Sequence, residues 1–163
     1  MTIVLLEKNH DRSNFQCEEE ALTIYIQKQV SQDIKKGLAT CFVALNDNQR
    51  VIGYYTLTSE SLGRESIPEK YQKKIPKNYN APVILLGRLA LHLSQKGTGL
   101  GEHLLLDALF RSYNLSQQSI GAMAVVVDPI SEKAFEFYSR YGFVQLPDSG
   151  KMFIPMNVIA KVI

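Results

Sequence analysis

Tryptophan is absent from this 163-residue chain, cysteine occurs twice and histidine three times. Cys17 and Cys41 lie far apart, with no Cys-x-x-Cys or Cys/His spacing, which argues against a disulfide scaffold and a structural zinc site. His10, His92 and His103 form no ligand pattern either, so no metal is expected. Both thiols read as small, half-buried side chains in a reducing compartment. No stretch approaches the ~18 apolar residues of a membrane span. At the amino terminus, charge follows Leu5 and Leu6 too soon for a signal-peptide core. The expectation is a soluble, cytoplasmic protein without membrane contact. Charge of one sign is scarce too: 18 Lys and Arg against 16 Asp and Glu leave a net +2. That balance neither requires nor excludes a polyanionic partner.

What is present is an ordinary globular composition, 45% hydrophobic and 21% charged, in a length that fits one domain over 1–163. Ile3 to Leu6 reads as a short strand. Ala21, Leu22, Tyr25, Ile26 and Val30 recur at helical spacing. Ala39 to Leu45 and Val51 to Thr58 are β-rich runs split by the turn cluster Asn46-Asp47-Asn48-Gln49, a hairpin. Residues 60–80 carry Pro68, Pro76 and the lysines Lys70, Lys73, Lys74 and Lys77, and read as a polar excursion with at most one short helix. Its two readings are a solvated charged loop and a functional one.

Val83 to Leu91 is apolar except for Arg88, as in a central strand covered on both faces. A helix is expected from about Gly101 to Tyr113, with Leu104, Leu105, Ala108 and Leu109 on one side. Ile120 to Val127 reads as a second buried strand. Ser131 can cap a helix that Gly142 stops, and Phe143 to Gln145 and Met152 to Val158 supply the last strands. The order β-α-β-β-β-α-β-α-β specifies an α/β (α+β) fold, a mixed sheet with helices on both faces.

Lys96-Gly97-Thr98-Gly99-Leu100-Gly101 joins the strand to the long helix. Glycines there let backbone N–H groups approach a phosphate, and the helix dipole favours the anion. A P-loop requires Gly-Lys-Ser/Thr, but Glu102 and His103 follow Gly101. A dinucleotide fingerprint requires a small third residue, and counting from Gly97 and Gly99 that residue is Glu102. A plain tight connection remains the alternative.

The run KGTGLG resembles the pyrophosphate loop of the GNAT acetyltransferase superfamily, with Lys96 where Gln or Arg is usual. SEKAFEFYSRYGF resembles that superfamily's Asn-x-x-Ala-x-x-Phe-Tyr-x-x-x-Gly-Phe segment, with Ser131 in place of Asn. The resemblance covers essentially the whole chain and implies the GNAT fold, with splayed central strands. It implies acetyl-CoA as cosubstrate, with Leu89, Ala90 and Leu91 along the pantetheine arm and Lys96, Gly97, Thr98, Gly99, Leu100 and Gly101 around the pyrophosphate. Ser131 and Phe137 would complete the cofactor side. Tyr138 would protonate the departing thiolate, its other reading being a core tyrosine with an anchoring hydroxyl.

No carboxylate lies in Val83 to Leu91, where many members of that superfamily hold a general base. A lysine acceptor, with a pKa of about 10.4, would need one. An α-amino group at about 7.7–8.0, lower still in an esterified amino acid, would need only a water relay.

FQCEEEALTIYI, VIGYYTLTS, ILLGRLAL and MFIPM resemble one GNAT branch, the acetyltransferase toxins encoded with ribbon-helix-helix antitoxins. That resemblance implies acetylation of the α-amino group of aminoacyl-tRNA and a block of translation. Lys70, Lys73, Lys74 and Lys77 would then line a phosphate track, and Arg88 would serve either the acceptor side or a structural salt bridge. The expected partners are acetyl-CoA, aminoacyl-tRNA, a ribbon-helix-helix antitoxin and a second copy of the chain. Two alternatives stay open: an acetyltransferase for a small amine, peptide or protein, and an acyl-CoA-binding module without turnover.

Overall fold

A computed structural model describes residues 2–163. Its seven strands form one mixed sheet in the order β1-β2-β3-β4-β5-β7-β6. Here β1 is Thr2–Leu5, β2 Thr40–Leu45, β3 Val51–Leu62, β4 Ala81–Leu91, β5 Ala124–Val127, β6 Val144–Gln145 and β7 Met152–Pro155. The helices are α1 (Glu20–Ile24), α2 (Val30–Lys35), α3 (Glu69–Gln72), α4 (Leu100–Gln118), α5 (Glu132–Ser139) and α6 (Met156–Val162). The chain divides into two compact units, Met1–Thr58 with Leu86–Ala108, and Ser59–Leu85 with Leu109–Ile163.

In the first unit β1 pairs antiparallel with β2, Thr2 opposite Leu45, and β2 with β3, Thr40 opposite Leu57. The expected hairpin forms, its turn closed by Asn46 and by Gln49 at φ +62°. The helical run after residue 20 is not uniform, because a π-turn at Tyr25–Gln29 separates α1 from α2. It keeps Tyr25, Ile26 and Val30 buried beside Phe15, Val43 and Tyr54. Such inserted turns recur at functional sites.

Helix α4 closes this core. Leu104, Leu105 and Ala108 are fully buried, as the spacing requires. Glycine at 53 permits the contact: a Cβ there would lie 2.9 Å from Leu104 Cδ1, 3.1 Å from Leu100 Cδ2 and 3.4 Å from the Ala90 carbonyl oxygen. Tyr55 adds a second tie, its hydroxyl donating to Asp107 Oδ2 at 2.6 Å.

The second unit pairs β5 with β7 and β7 with β6, both antiparallel. Ala124, Val126 and Phe153 are buried with Leu62, Val83 and Leu146. Three boundaries differ from expectation. Helix α4 runs to Gln118, where Leu115 O accepts the N–H groups of Ser119 and Ile120, so Ile120 is exposed and β5 begins only at Ala124. Strand β7 stops at Pro155, whose ring sets φ at −67° and opens α6, burying Met156 and Ile159 one turn apart. Strand β3 continues to Leu62, four residues past the expected end.

The excursion over 60–80 is anchored rather than merely solvated. Ile67 is fully buried, the Tyr71 ring meets Phe153 edge-on at 5.3 Å, and Arg64 Nε donates to Ile75 O at 3.0 Å. Cys41, expected half-buried, is fully buried, which pushes its thiol up to about 12.

Leu104→Ala opens a cavity opposite Gly53 and should cost ~2–5 kcal/mol. Denaturant unfolding monitored by circular dichroism measures this. A loss under about 1 kcal/mol would show that α4 is not seated through this contact.

Candidate active site

After β4, Leu93–Gln95 makes one 3-10 turn capped by the His92 ring, which accepts from Ser94 N at 3.0 Å. The glycine turn follows. Gly97 and Gly99 sit at φ +76° and +86°, conformations that L side chains rarely adopt. An added Cβ at either would meet nothing within 4 Å, so the backbone conformation demands glycine and the space beside the loop is open. Thr98 stiffens the turn, its hydroxyl donating to Gln95 O at 2.7 Å and accepting from Leu100 N at 3.3 Å. Leu100 is buried under Gly53, and Gly101 lies in the first turn of α4.

Lys96, the cation of the loop, is ion-paired with Glu18, both side chains being about half exposed. The segment carrying Glu18 is docked on the same stretch. Leu93 N donates to Gln16 O at 2.9 Å, and the His92 ring meets Phe15 edge-on at 5.9 Å. Of the strand residues before the turn, Leu89 and Leu91 are half-buried and Ala90 is buried. The strand is held to β3 where His92 N donates to Ile52 O at 2.8 Å.

Arg88 is half-buried, and its guanidinium lies 3.6 Å from the centroid of the Tyr25 ring. The Tyr25 hydroxyl donates to Asp33 Oδ2 at 2.8 Å, and Gln29 Nε2 to Asp33 Oδ1 at 3.1 Å. These two hydrogen bonds hold the Asp33 carboxyl below the usual range, with the Arg88 charge helping. Burial, followed by the bond to Asp33, drives the Tyr25 phenol upward. Arg88 forms no salt bridge among the described residues; an aromatic face orders it instead.

In the second unit Ser131 caps α5, its hydroxyl accepting from Ala134 N at 3.1 Å. Three residues later in the same helix Phe137 lies half-buried, edge-on to both Tyr138 and Tyr141 at 5.3 Å. Gly142, at φ +99°, ends the helix and turns the buried Phe143 edge-on against Tyr138 at 5.3 Å. Tyr138 is 8% exposed, and its hydroxyl makes no hydrogen bond among the described residues. Burial alone pushes its ionisation far up, so the phenol is a held proton at every physiological pH.

Lys70, Lys73, Lys74 and Lys77 are all exposed, with the ammonium groups of Lys70 and Lys74 5.1 and 5.6 Å from the Tyr71 centroid. No three His, Cys, Asp or Glu side chains among the described residues converge as metal ligands. No helix is long and apolar enough to cross a membrane. Glu60 lies beyond the third strand expected from sequence, which ends at Thr58. In the structure it belongs to β3, its Oε1 3.2 Å from Lys151 Nζ and its Oε2 buried without a partner.

The phenol dictates an alkaline effect. A folded pKa above the unfolded one leaves stability unaffected below about pH 10, the unfolded value, and lowers it above, where only the unfolded chain ionises. Tyr138→Phe removes one such group, so its melting temperature should fall less than that of the parent between pH 9 and 11. Parallel curves would mean that the folded Tyr138 ionises as freely as an unfolded tyrosine.

No family model matches the chain. It is 35% identical over 133 residues to a tRNA-acetylating toxin of Mycobacterium tuberculosis (strain ATCC 25618 / H37Rv), across 82% of this chain and 78% of that protein. Among solved structures, AtaT complexed with acetyl-methionyl-tRNAfMet superposes with a TM-score of 0.90 at 30% identity, over 98% of this chain and 97% of that one. A tyrosine-to-phenylalanine mutant of AtaT, bound to the carboxy terminus of the antitoxin AtaR and to acetyl-CoA, gives 0.81 at 26% identity, over 98% and 96%. With its glycine turn, its buried tyrosine and this likeness over nearly its full length, the chain belongs to the GNAT acetyltransferase toxins that acetylate tRNA.

Proposed function

We propose that this protein transfers the acetyl group of acetyl-CoA to the α-amino group of an aminoacyl-tRNA, as the toxin of a toxin–antitoxin module. It works as one catalytic domain in the cytoplasm, where charged tRNA and acetyl-CoA are found. The observation that carries the reading is Tyr138, a buried phenol with a free hydroxyl at the end of a motif of acetyltransferases. Its support comes from AtaT, whose solved complexes contain acetyl-methionyl-tRNA, acetyl-CoA and the antitoxin AtaR.

The roles follow from chemistry. Lys96 to Gly101 take the pyrophosphate, since the positive-φ glycines leave the loop bare of side chains beside open space at the start of α4. Leu89, Ala90 and Leu91 offer backbone groups to the pantetheine arm. Ser131, its hydroxyl already spent on the helix cap, and Phe137 shape the thiol side by position and packing. The neutral acceptor amine attacks the thioester carbonyl, the carbon–sulfur bond breaks as Tyr138 delivers its proton to the leaving sulfur, and the proton lost from the nitrogen restores Tyr138 through water. Arg88, its face on Tyr25 and its N–H edges without an acceptor, meets the acceptor's phosphate or carbonyl oxygens. Lys70, Lys73, Lys74 and Lys77 track the phosphate backbone. A ribbon-helix-helix antitoxin is the expected inhibitor.

A thiol near pKa 8.5 leaves tolerably as thiolate, so the acid assists rather than decides; Tyr138→Phe should lose about 10²–10⁴-fold in turnover. Acetyl-CoA affinity and melting temperature at pH 7 should hold, because the ring remains. Tyr141→Phe serves as comparison, and retention of turnover within about threefold by Tyr138→Phe would refute the assignment.

Neutralising the four lysines together should flatten the salt dependence of tRNA binding, by roughly 0.7–0.9 in slope for each phosphate that is no longer neutralised. Filter binding across salt concentrations reads this directly. An unchanged slope would make the cluster a solvated surface.

A further inference from the structure

We infer that Tyr25 is a positioning residue of the acetyl transfer: its ring, anchored through Asp33, holds the Arg88 guanidinium with its N–H edge free for a phosphate of the acceptor. The inference rests on Arg88 serving the acceptor side, as proposed above.

Every part of this arrangement lies in the first unit. Tyr25 is the first residue of the π-turn, which Val30 N closes by donating to Tyr25 O, and it is 5% exposed. Its phenol donates to Asp33 Oδ2 at 2.8 Å, while Gln29 Nε2 donates to Oδ1 of the same carboxylate at 3.1 Å. The Tyr54 ring lies nearly parallel to that of Tyr25, at 16° with 6.4 Å between centroids, and its own hydroxyl is tied to Leu22 O at 2.6 Å. The Tyr25 ring is thus fixed at its phenol end and by a neighbouring ring.

A half-buried arginine commonly spends its donors on a carboxylate. Arg88 forms no salt bridge among the described residues, and its guanidinium carbon lies 3.6 Å from the Tyr25 centroid. A ring attracts the cation through its face and leaves the in-plane N–H groups unspent. Asp33 adds its charge from the far end of the phenol, with both oxygens already occupied by Tyr25 and Gln29. The bond to that carboxylate also polarises the phenol and raises the electron density of the ring, which strengthens its hold on the cation.

The strand supplies the place. Gly87, directly before Arg88 in the interior of β4, is exposed, and a Cβ there would lie 3.1 Å from Thr56 Oγ1. A bare position inside a strand lets another molecule approach the backbone closely. With the pyrophosphate at Lys96 to Gly101 and the pantetheine arm running back along Leu91, Ala90 and Leu89, the next residue up the strand is Arg88. Ala90 is itself buried in the same cluster as Tyr25. An arginine fork matches the paired oxygens and the charge of a phosphodiester, whereas an ester carbonyl brings one oxygen and no charge. The terminal phosphodiester of the aminoacylated RNA is therefore the group assigned to Arg88.

Steady-state transfer from labelled acetyl-CoA to total aminoacylated bacterial tRNA, with KM and kcat taken separately and melting temperature recorded, tests this. Tyr25→Leu removes the ring and should raise KM for charged tRNA about tenfold, with KM for acetyl-CoA within about twofold of the parent. Tyr25→Phe keeps the ring and loses only the bond to Asp33, so its KM for charged tRNA should stay within about threefold. Val43→Ala, a truncation in the same core cluster, should lower the melting temperature and leave both KM values unchanged. In an Arg88→Ala background Tyr25→Leu should add less than about twofold, because the ring has no cation left to hold. Arg88→Ala should also flatten the salt dependence of tRNA binding by roughly 0.7–0.9 in slope, the signature of one lost phosphate contact. A parental KM for charged tRNA in Tyr25→Leu, while Arg88→Ala raises it, overturns the inference alone; so does an equal rise with and without Arg88, or an unchanged salt slope. Should Tyr25→Leu not fold, Tyr25→Met, which fills more of the same space without a π-face, carries the same expectation, and failure of both to fold makes the ring structural and overturns the inference. An Arg88→Ala chain with parental KM for charged tRNA overturns the reading of Arg88 instead, and a parent that acetylates no charged tRNA overturns the proposed function.

Discussion

Helix α4 packs onto the sheet over Gly53, where the tips of Leu100 and Leu104 lie as close as a Cβ would tolerate, and the geometry of the glycine turn descends from that approach. Leu100 and Leu104 fill the space a Cβ would occupy, which sets the first turn of α4 against β3 and beside the Ala90 carbonyl at the end of β4. The turn from Lys96 to Leu100 therefore has a fixed start and a fixed finish. Five residues must reverse direction between them, and Gly97 and Gly99 do so at positive φ. The open space beside them is a product of the same constraint, because no side chain is available there to fill it.

Burial is used in two opposite ways. Around Tyr138 it keeps a phenol neutral, which suits a proton donor, and Gly142 makes this possible by turning Phe143 back onto the ring. Around Glu60 it encloses one oxygen of a carboxylate whose other oxygen pairs with Lys151. Arg88 is a third case, in which an aromatic face replaces the counter-ion that a half-buried cation usually demands.

The periodic parts of this fold are legible in the sequence: the hairpin of β2 and β3, the buried face of α4, and the cap and stop of α5 each follow from local chemistry. The glycine turn is legible for a similar reason, since three glycines within five residues between strand and helix specify backbone rather than side-chain needs. The strand ends are not legible. Thr58-Ser59-Glu60-Ser61 is polar enough to read as loop, yet it continues β3 because its backbone bonds go to a sheet neighbour. Pro155 hides the reverse case, a β-rich run converted to helix by a single fixed φ. The π-turn under Tyr25 has no local signal at all, because its cause is the tertiary demand that Tyr25, Ile26 and Val30 all face the core.

The strand that leads into the glycine turn bears directly on the chemistry. No carboxylate lies in Val83 to Leu91, and an acceptor of low basicity is then the natural inference. The longer strand does place Glu60 in β3, where it pairs with Lys151, while β4 itself carries no carboxylate. The two facts are compatible for an α-amino acceptor, whose pKa lies close enough to neutrality that both protonation states reach the enzyme. A water relay is then enough for it, whereas a lysine side chain near pKa 10.4 would demand a far larger transfer of free energy. The modest charge of the site and the modest basicity of the acceptor are thus matched.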